Sequence, residues 1–436
     1  MPLTSPTGRD HDRQILRLAI PAFGALVAEP LFLLTDTVIV SHLPAPALGA
    51  VGVASTVLGA LVALCVFLAY GTTAAVARQV GAGNTAQAVR QGGDGLWLAA
   101  AAGVVIIAVV WPLAPSLVAL VGAEGELALQ AVTYLRISLL GVPAMLLVLA
   151  GTGVLRGMQD TTTPLLVSVG SFALNALLNL LFVLGLGWGV AGSAWGTVLA
   201  QSLGAAVYLA LVFGRYGAPV RPDLAGIRAA GTAGVALIIR TACLQVVLAV
   251  AATLATRMGE EQIEAHTIAL RIWTLLAFAL DAIAIAGQAI TGRTLGAGDA
   301  EATREATRRM VVWGVGSGVV LGLLVVVARP FVPGVFDVSA QTAEHLLGPL
   351  LVVALLQPVA GVVFVLDGVL IGAGDQRYLA WAGLWTTLAY LPVALAVILS
   401  GGGLVALWLA LGVWMGARFL ALGLRARGRA WLVIGA

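Results

Sequence analysis

The sequence predicts an all-α polytopic membrane protein with twelve transmembrane helices in two pseudo-symmetric six-helix lobes. Three observations carry this. Hydrophobic residues make up 60% of the 436 and charged residues only 10%, where a water-soluble domain carries about 25% charge. Apolar runs that approach or exceed the roughly 18–20 residues spanning a bilayer core recur along the chain, among them 96–121, 164–186, 235–256 and 346–366. The two halves also resemble each other at a fixed offset of 215 residues. A soluble enzyme is excluded because too little polar sequence exists to cover its surface.

The twelve expected spans are 15–41, 47–75, 93–119, 127–153, 162–186, 190–213, 229–256, 263–291, 308–333, 343–370, 377–399 and 403–423. Turn chemistry separates them. "HLPAPA" divides the first two, "GMQDTTTP" precedes the fifth, and "GLGWG" and "LSGGG" divide later pairs; Gly, Pro and Asp clusters of this kind punctuate helices.

Arginine placement orients the spans. All 23 basic residues are arginines, and 17 of them fall before the first helix, in alternate loops or in the tail. The opposite loops hold only Arg257 and Arg329. The positive-inside rule then places both termini in the cytoplasm of a multi-pass protein of the cell inner membrane.

The repeat is read from paired landmarks. "RQVGAGN" at 78–84 matches "RTLGAGD" at 293–299, Pro143 matches Pro358, Gly157 matches Gly372 and Asp160 matches Asp375. A repeat of six helices, an even number, gives both copies the same membrane orientation, an arrangement used by transporters. The expected organisation is an N-terminal segment 1–14, an N-lobe 15–213, an inter-lobe loop 214–228, a C-lobe 229–423 and a tail 424–436.

Ionisable residues inside apolar spans are costly and mark functional sites or their partners. "EPLFLLTDTVIV" at 29–40 places Glu29 and Asp36 in the first helix. Burial disfavours the charged form of a carboxylate, a property suited to proton capture and release. Asn175 and Asn179 lie four residues apart on one face of the fifth helix. Each can donate an N–H to Asp36 or offer a carbonyl to a cation. A structural polar knot between the two helices is the competing reading. Thr35 and Thr37 are further candidate oxygens. In the second half, Arg240, Arg271 and Asp281 form either a cavity charge network or an ion-pair lock between the seventh and eighth helices. Glu29 serves either as a cavity carboxylate or as a partner of a C-lobe arginine.

At the 215-residue offset Asp36 falls on Ala251 and Asn175 on Tyr390, so the repeat keeps its scaffold and loses its chemistry. "GAGN" and "GAGD" lack both the preceding strand and the following Lys-Ser/Thr pair of phosphate loops. No cofactor, nucleic-acid partner or enzyme activity is expected.

The stretches "EPLFLLTDTVIVSHL" at 29–43, "ARQVGAGN" at 77–84, "LRGMQDTTTPL" at 155–165 and "FALDAIAIAGQA" at 278–289 resemble the multidrug and toxic compound extrusion (MATE) family, most closely its DinF-like branch. The resemblance implies a monomeric exporter of small organic, cationic or amphipathic compounds. Inward flow of H+ or Na+ would drive it, with membrane lipid as its solvent and partner. It implies an ion-coupling role for Asp36, with polar partners at Asn175 and Asn179 and a sodium near Asp36 where sodium is the coupling ion. Some prokaryotic relatives carry a second aspartate at the position of Asn179. A flippase for a lipid-linked precursor and a channel or scaffold without coupled transport are the alternatives.

The arginine pattern makes a direct prediction. A single cysteine at position 220, in a background lacking Cys65 and Cys243, should react with a membrane-impermeant reagent only from the cytoplasmic side. Labelling from outside would reverse the orientation.

Overall fold

The computed structural model describes residues 8–435, and among these no strand occurs. Twelve helices are long and apolar enough to cross a membrane. They are α1 (Gly8–Val40), then α2 (Ala47–Gly81), α3 (Thr85–Leu120), α4 (Gly125–Gly157), α5 (Thr162–Gly185), α6 (Gly189–Arg215), α7 (Leu224–Met258), α8 (Glu260–Gly296), α9 (Ala300–Ala328), α10 (Ala340–Gly372), α11 (Gln376–Leu399) and α12 (Leu404–Arg427).

Several helices outrun the expected spans. α3 begins at Thr85 rather than near 93, and α9 at Ala300 rather than near 308. Hydropathy marks where the bilayer ends, whereas a helix ends where its backbone is capped. Asp299 caps α9 by accepting from the Ala302 N–H at 2.8 Å, two turns before the apolar run begins. α5 and α6 each finish in a wider π-helical turn, Leu180–Gly185 and Ala210–Arg215.

The chain forms two compact units. One is Gly24–Gly234; the other runs from Val235 onward and includes the described residues up to Phe23. α1 therefore contributes to both. In the second unit its first turns are tied to α9, where Asp12 accepts from Trp313 Nε1 at 2.9 Å and pairs with Arg309.

Each unit is organised around its fourth helix. α4 packs against α2, α3 and α6, and α10 packs against α8, α9 and α12. These two are the most enclosed spans of their units. Lipid supplies no hydrophobic drive between helices, so association relies on close backbone approach at small residues. A methyl group on Gly103 would lie 2.5 Å from Pro143 Cα, and one on Gly318 would lie 2.7 Å from Pro358 Cα. Gly153 meets the Ala69 carbonyl and Gly368 that of Ala284, while Gly157 meets Thr73 and Gly372 meets Gln288. Each C-terminal contact sits 215 residues after its N-terminal counterpart. The sequence repeat is thus a repeat of glycine-on-backbone contacts.

A still tighter contact, outside the repeated set, packs Gly361 of α10 on the Gly314 carbonyl of α9, whereas Gly316 faces open space. Gly361→Ala should cost about 1–3 kcal/mol through overpacking, while Gly316→Ala should be neutral or slightly stabilising through helix propensity. Thermal unfolding of both variants in detergent checks this.

Candidate functional site

Asp36 lies near the end of α1 and is buried. α5 presents Asn175 and Asn179, both buried, on the face turned to it. Asn179 Nδ2 donates to Asp36 Oδ1 at 2.6 Å and to Asn175 Oδ1 at 3.1 Å. The structure thus brings together all three residues of the expected coupling group.

α6 adds a set that the sequence reading missed. Ser193 Oγ donates to the same Asp36 oxygen at 2.6 Å. Thr197, one turn on, receives a hydrogen bond from Asn175 Nδ2 at 3.1 Å and donates to the Ser193 carbonyl at 3.1 Å. Buried Tyr134 of α4 lies beside Ser138, Ser193 and Thr197. Sequence holds only a weak signal for these, because serine and threonine in membrane helices usually bond their own backbone. Thr35 and Thr37 do just that, donating to the carbonyls of Leu31 and Leu33; Thr37 is exposed and Thr35 half-buried. They are not oxygens of the Asp36 group.

A glycine makes the site geometrically feasible. Any side chain at Gly196 would run into Asn179 Oδ1. Its absence lets α6 approach α5 closely enough for Ser193, one turn earlier, to reach Asp36.

No ion pair to Asp36 occurs among the described residues. Among the described residues the buried acid therefore has hydrogen-bond donors but no counter-charge. The second unit differs. Arg240 of α7 donates from Nε to Asp367 Oδ1 at 3.0 Å and pairs through its terminal nitrogen with Oδ2. Arg418 of α12 approaches the same carboxylate at 3.6 Å. The cavity beside them, about 20 Å³, has room for a water molecule.

Asp367 and Arg418 are legible in the sequence as charges within apolar runs, but spacing along the chain does not show that they meet Arg240. Arg271 is exposed, and Asp281 is half-buried in α8. Glu29 sits in α1, and its side chain lies outside the described residues.

The fold is that of a multi-pass helical membrane protein. The MatE family profile matches residues 21–181 and 236–398, and the chain belongs to that family as a DinF-like member. It is 31% identical to "Protein DETOXIFICATION 44, chloroplastic" of Arabidopsis thaliana over 96% of this chain and 85% of that protein. It is 30% identical to "DNA damage-inducible protein F" of Escherichia coli K12, over 94% of this chain and 91% of that protein. Among solved structures, a transporter of the MOP superfamily from Pyrococcus furiosus superposes with a TM-score of 0.88 at 23% identity, covering 97% of this chain and 98% of that one. Efflux transport is the activity of this family.

The glycine contact yields a prediction. Gly196→Val should push Asn179 away from Asp36 and destabilise the protein by about 1–3 kcal/mol. Ser193→Ala should cost a similar amount, since a buried polar atom left without its partner costs about 1–3 kcal/mol. Unfolding midpoints in detergent read both. A wild-type midpoint for Gly196→Val would contradict the close packing of α5 on α6.

Proposed function

We propose that the protein is a secondary active exporter of small organic, cationic or amphipathic compounds, working by antiport, with Asp36 as the ion switch. The observation that supports this most directly is a buried carboxylate given donors by Asn179 and Ser193 and no arginine partner. An uncompensated charge inside a membrane protein is expensive. Such a group is held in place by taking a proton, by binding a cation, or by gaining access to water.

The geometry leaves room for a proton. Both hydrogen bonds go to Oδ1, and among the described residues none reaches Oδ2. Oδ2 is the oxygen free to carry the proton. A sodium ion would need several oxygens in place of the N–H and O–H groups now aimed at the carboxylate.

Protonation removes the charge and lets α1 pack dry against α5 and α6. Deprotonation favours a wetter arrangement in which α1 changes its bend and packing, a change that Pro21 and Pro30 permit. Cargo that binds one arrangement more tightly than the other couples the two fluxes. The protein then acts as a monomer in the cell inner membrane with both termini cytoplasmic.

The flippase reading draws on Arg240 and Arg271, and the structure adds Arg418 beside Arg240; guanidinium forks suit pyrophosphate. Of these, Arg240 and Arg418 are both directed at Asp367, which supports a structural use of these two arginines and favours the exporter.

Asp36→Asn keeps the shape and removes the titration. In proteoliposomes with proton and sodium gradients imposed separately, it should fold as wild type and lose gradient-driven efflux of a cationic dye. Asn179→Ala should reduce efflux without uncoupling it. Full driven transport by folded Asp36→Asn would rule the switch out, and loss confined to Asp281→Asn would move it to the second unit.

A further inference from the structure

The second unit carries a groove that the transport reading does not use. It opens between α9 and α12 with α10 as its floor and encloses about 840 Å³. Its walls are Val312 and Val315 on one side and Leu420 and Leu424 on the other, with Pro358 and Val362 beneath. At one end the lining becomes basic. Arg304 and Arg308 come from the first turns of α9, and Arg427 from the last turn of α12.

Dimensions and charge define the occupant. From Arg304 to Val315 the groove follows 11 residues of helix, about 17 Å at 1.5 Å per residue. One leaflet of a ~30 Å hydrocarbon core is about 15 Å deep. The groove therefore matches the depth of a single leaflet, basic at one end and apolar at the other. Among the described residues Arg304, Arg308 and Arg427 form no ion pair. The acidic side chains of the same turns, Glu301 and Glu305, do not line the groove. A smooth lipid-facing surface requires neither the concavity nor the convergence of guanidiniums from two separate helices. Basic pockets between membrane helices recognise anionic headgroups, and guanidinium forks match phosphate oxygens.

We propose that this groove binds an anionic glycerophospholipid of the arginine-side leaflet. Its phosphodiester sits among Arg304, Arg308 and Arg427, and its acyl chains lie along α10 between α9 and α12. The proposal is independent of the role of Asp36.

The test uses the purified full-length chain in phosphatidylcholine nanodiscs doped with phosphatidylglycerol. Spin-labelled versions of both lipids report their relative association at the protein surface. Wild type should prefer phosphatidylglycerol. Each Arg→Gln change should weaken that preference about fivefold, and the triple variant R304Q/R308Q/R427Q on the order of a hundredfold. Gly423 lines the groove and has open space around it. Gly423→Phe should fill the groove and abolish the preference with all three arginines intact. Excess soluble glycerol phosphate should not displace the lipid. Equal binding of the two lipids by wild type, an unchanged preference in the triple variant or in folded Gly423→Phe, or displacement by glycerol phosphate would each overturn the proposal.

Discussion

The structure depends on how closely helix backbones approach one another in a solvent that does not push them together. α4 and α10 each run through the middle of a unit, and their neighbours rest on them through glycines rather than side chains. Gly153 against Ala69, Gly368 against Ala284 and Gly361 against Gly314 leave no room for even a methyl group. Such contacts recover dispersion energy that apolar side chains, equally at home in lipid, would not supply. They also fix each helix in register, because one residue of slip would put a side chain where only hydrogen fits.

The polar site obeys the same constraint. Asp36 is reached from α5 by Asn179 and from α6 by Ser193, and the two helices come close because Gly196 carries no side chain. The packing that stabilises the unit thereby aims two donors at one carboxylate oxygen. In the other unit the buried acid is met by arginines. Asp367 lies between Arg240 and Arg418, an ion-pair arrangement suited to holding helices α7, α10 and α12 together. Asp36 has donors and, among the described residues, no cation beside it, which is why the proposed switch is placed there.

The two units show how a duplicated scaffold can diverge. The glycine contacts recur 215 residues apart, yet Asp36 has buried Ala251 as its counterpart, and Asn175 has buried Tyr390. In the reverse direction Asp367 falls on Thr152, whose hydroxyl bonds that of Tyr208 at 2.9 Å. Packing positions are constrained by geometry on every side. A polar position is constrained only by its few hydrogen-bond partners, and these changed together.

The sequence by itself determined the twelve spans, the repeat and the presence of an aspartate amid the apolar residues of the first helix. Apolar run length, arginine placement and a charge amid hydrocarbon are one-dimensional signals with direct energetic meaning. It also paired Asn175 with Asn179, because a four-residue spacing fixes a shared helix face. Only the tertiary structure decided that Ser193 and Thr197 join Asp36 while Thr35 and Thr37 turn back onto their own helix. A hydroxyl in a membrane helix has two ways to be satisfied, and the neighbouring helix selects between them. Tertiary structure also gave Arg240 its partner in Asp367, 127 residues away. A long arginine side chain reaches across helices, and which acid it meets depends on helix packing rather than on spacing along the chain.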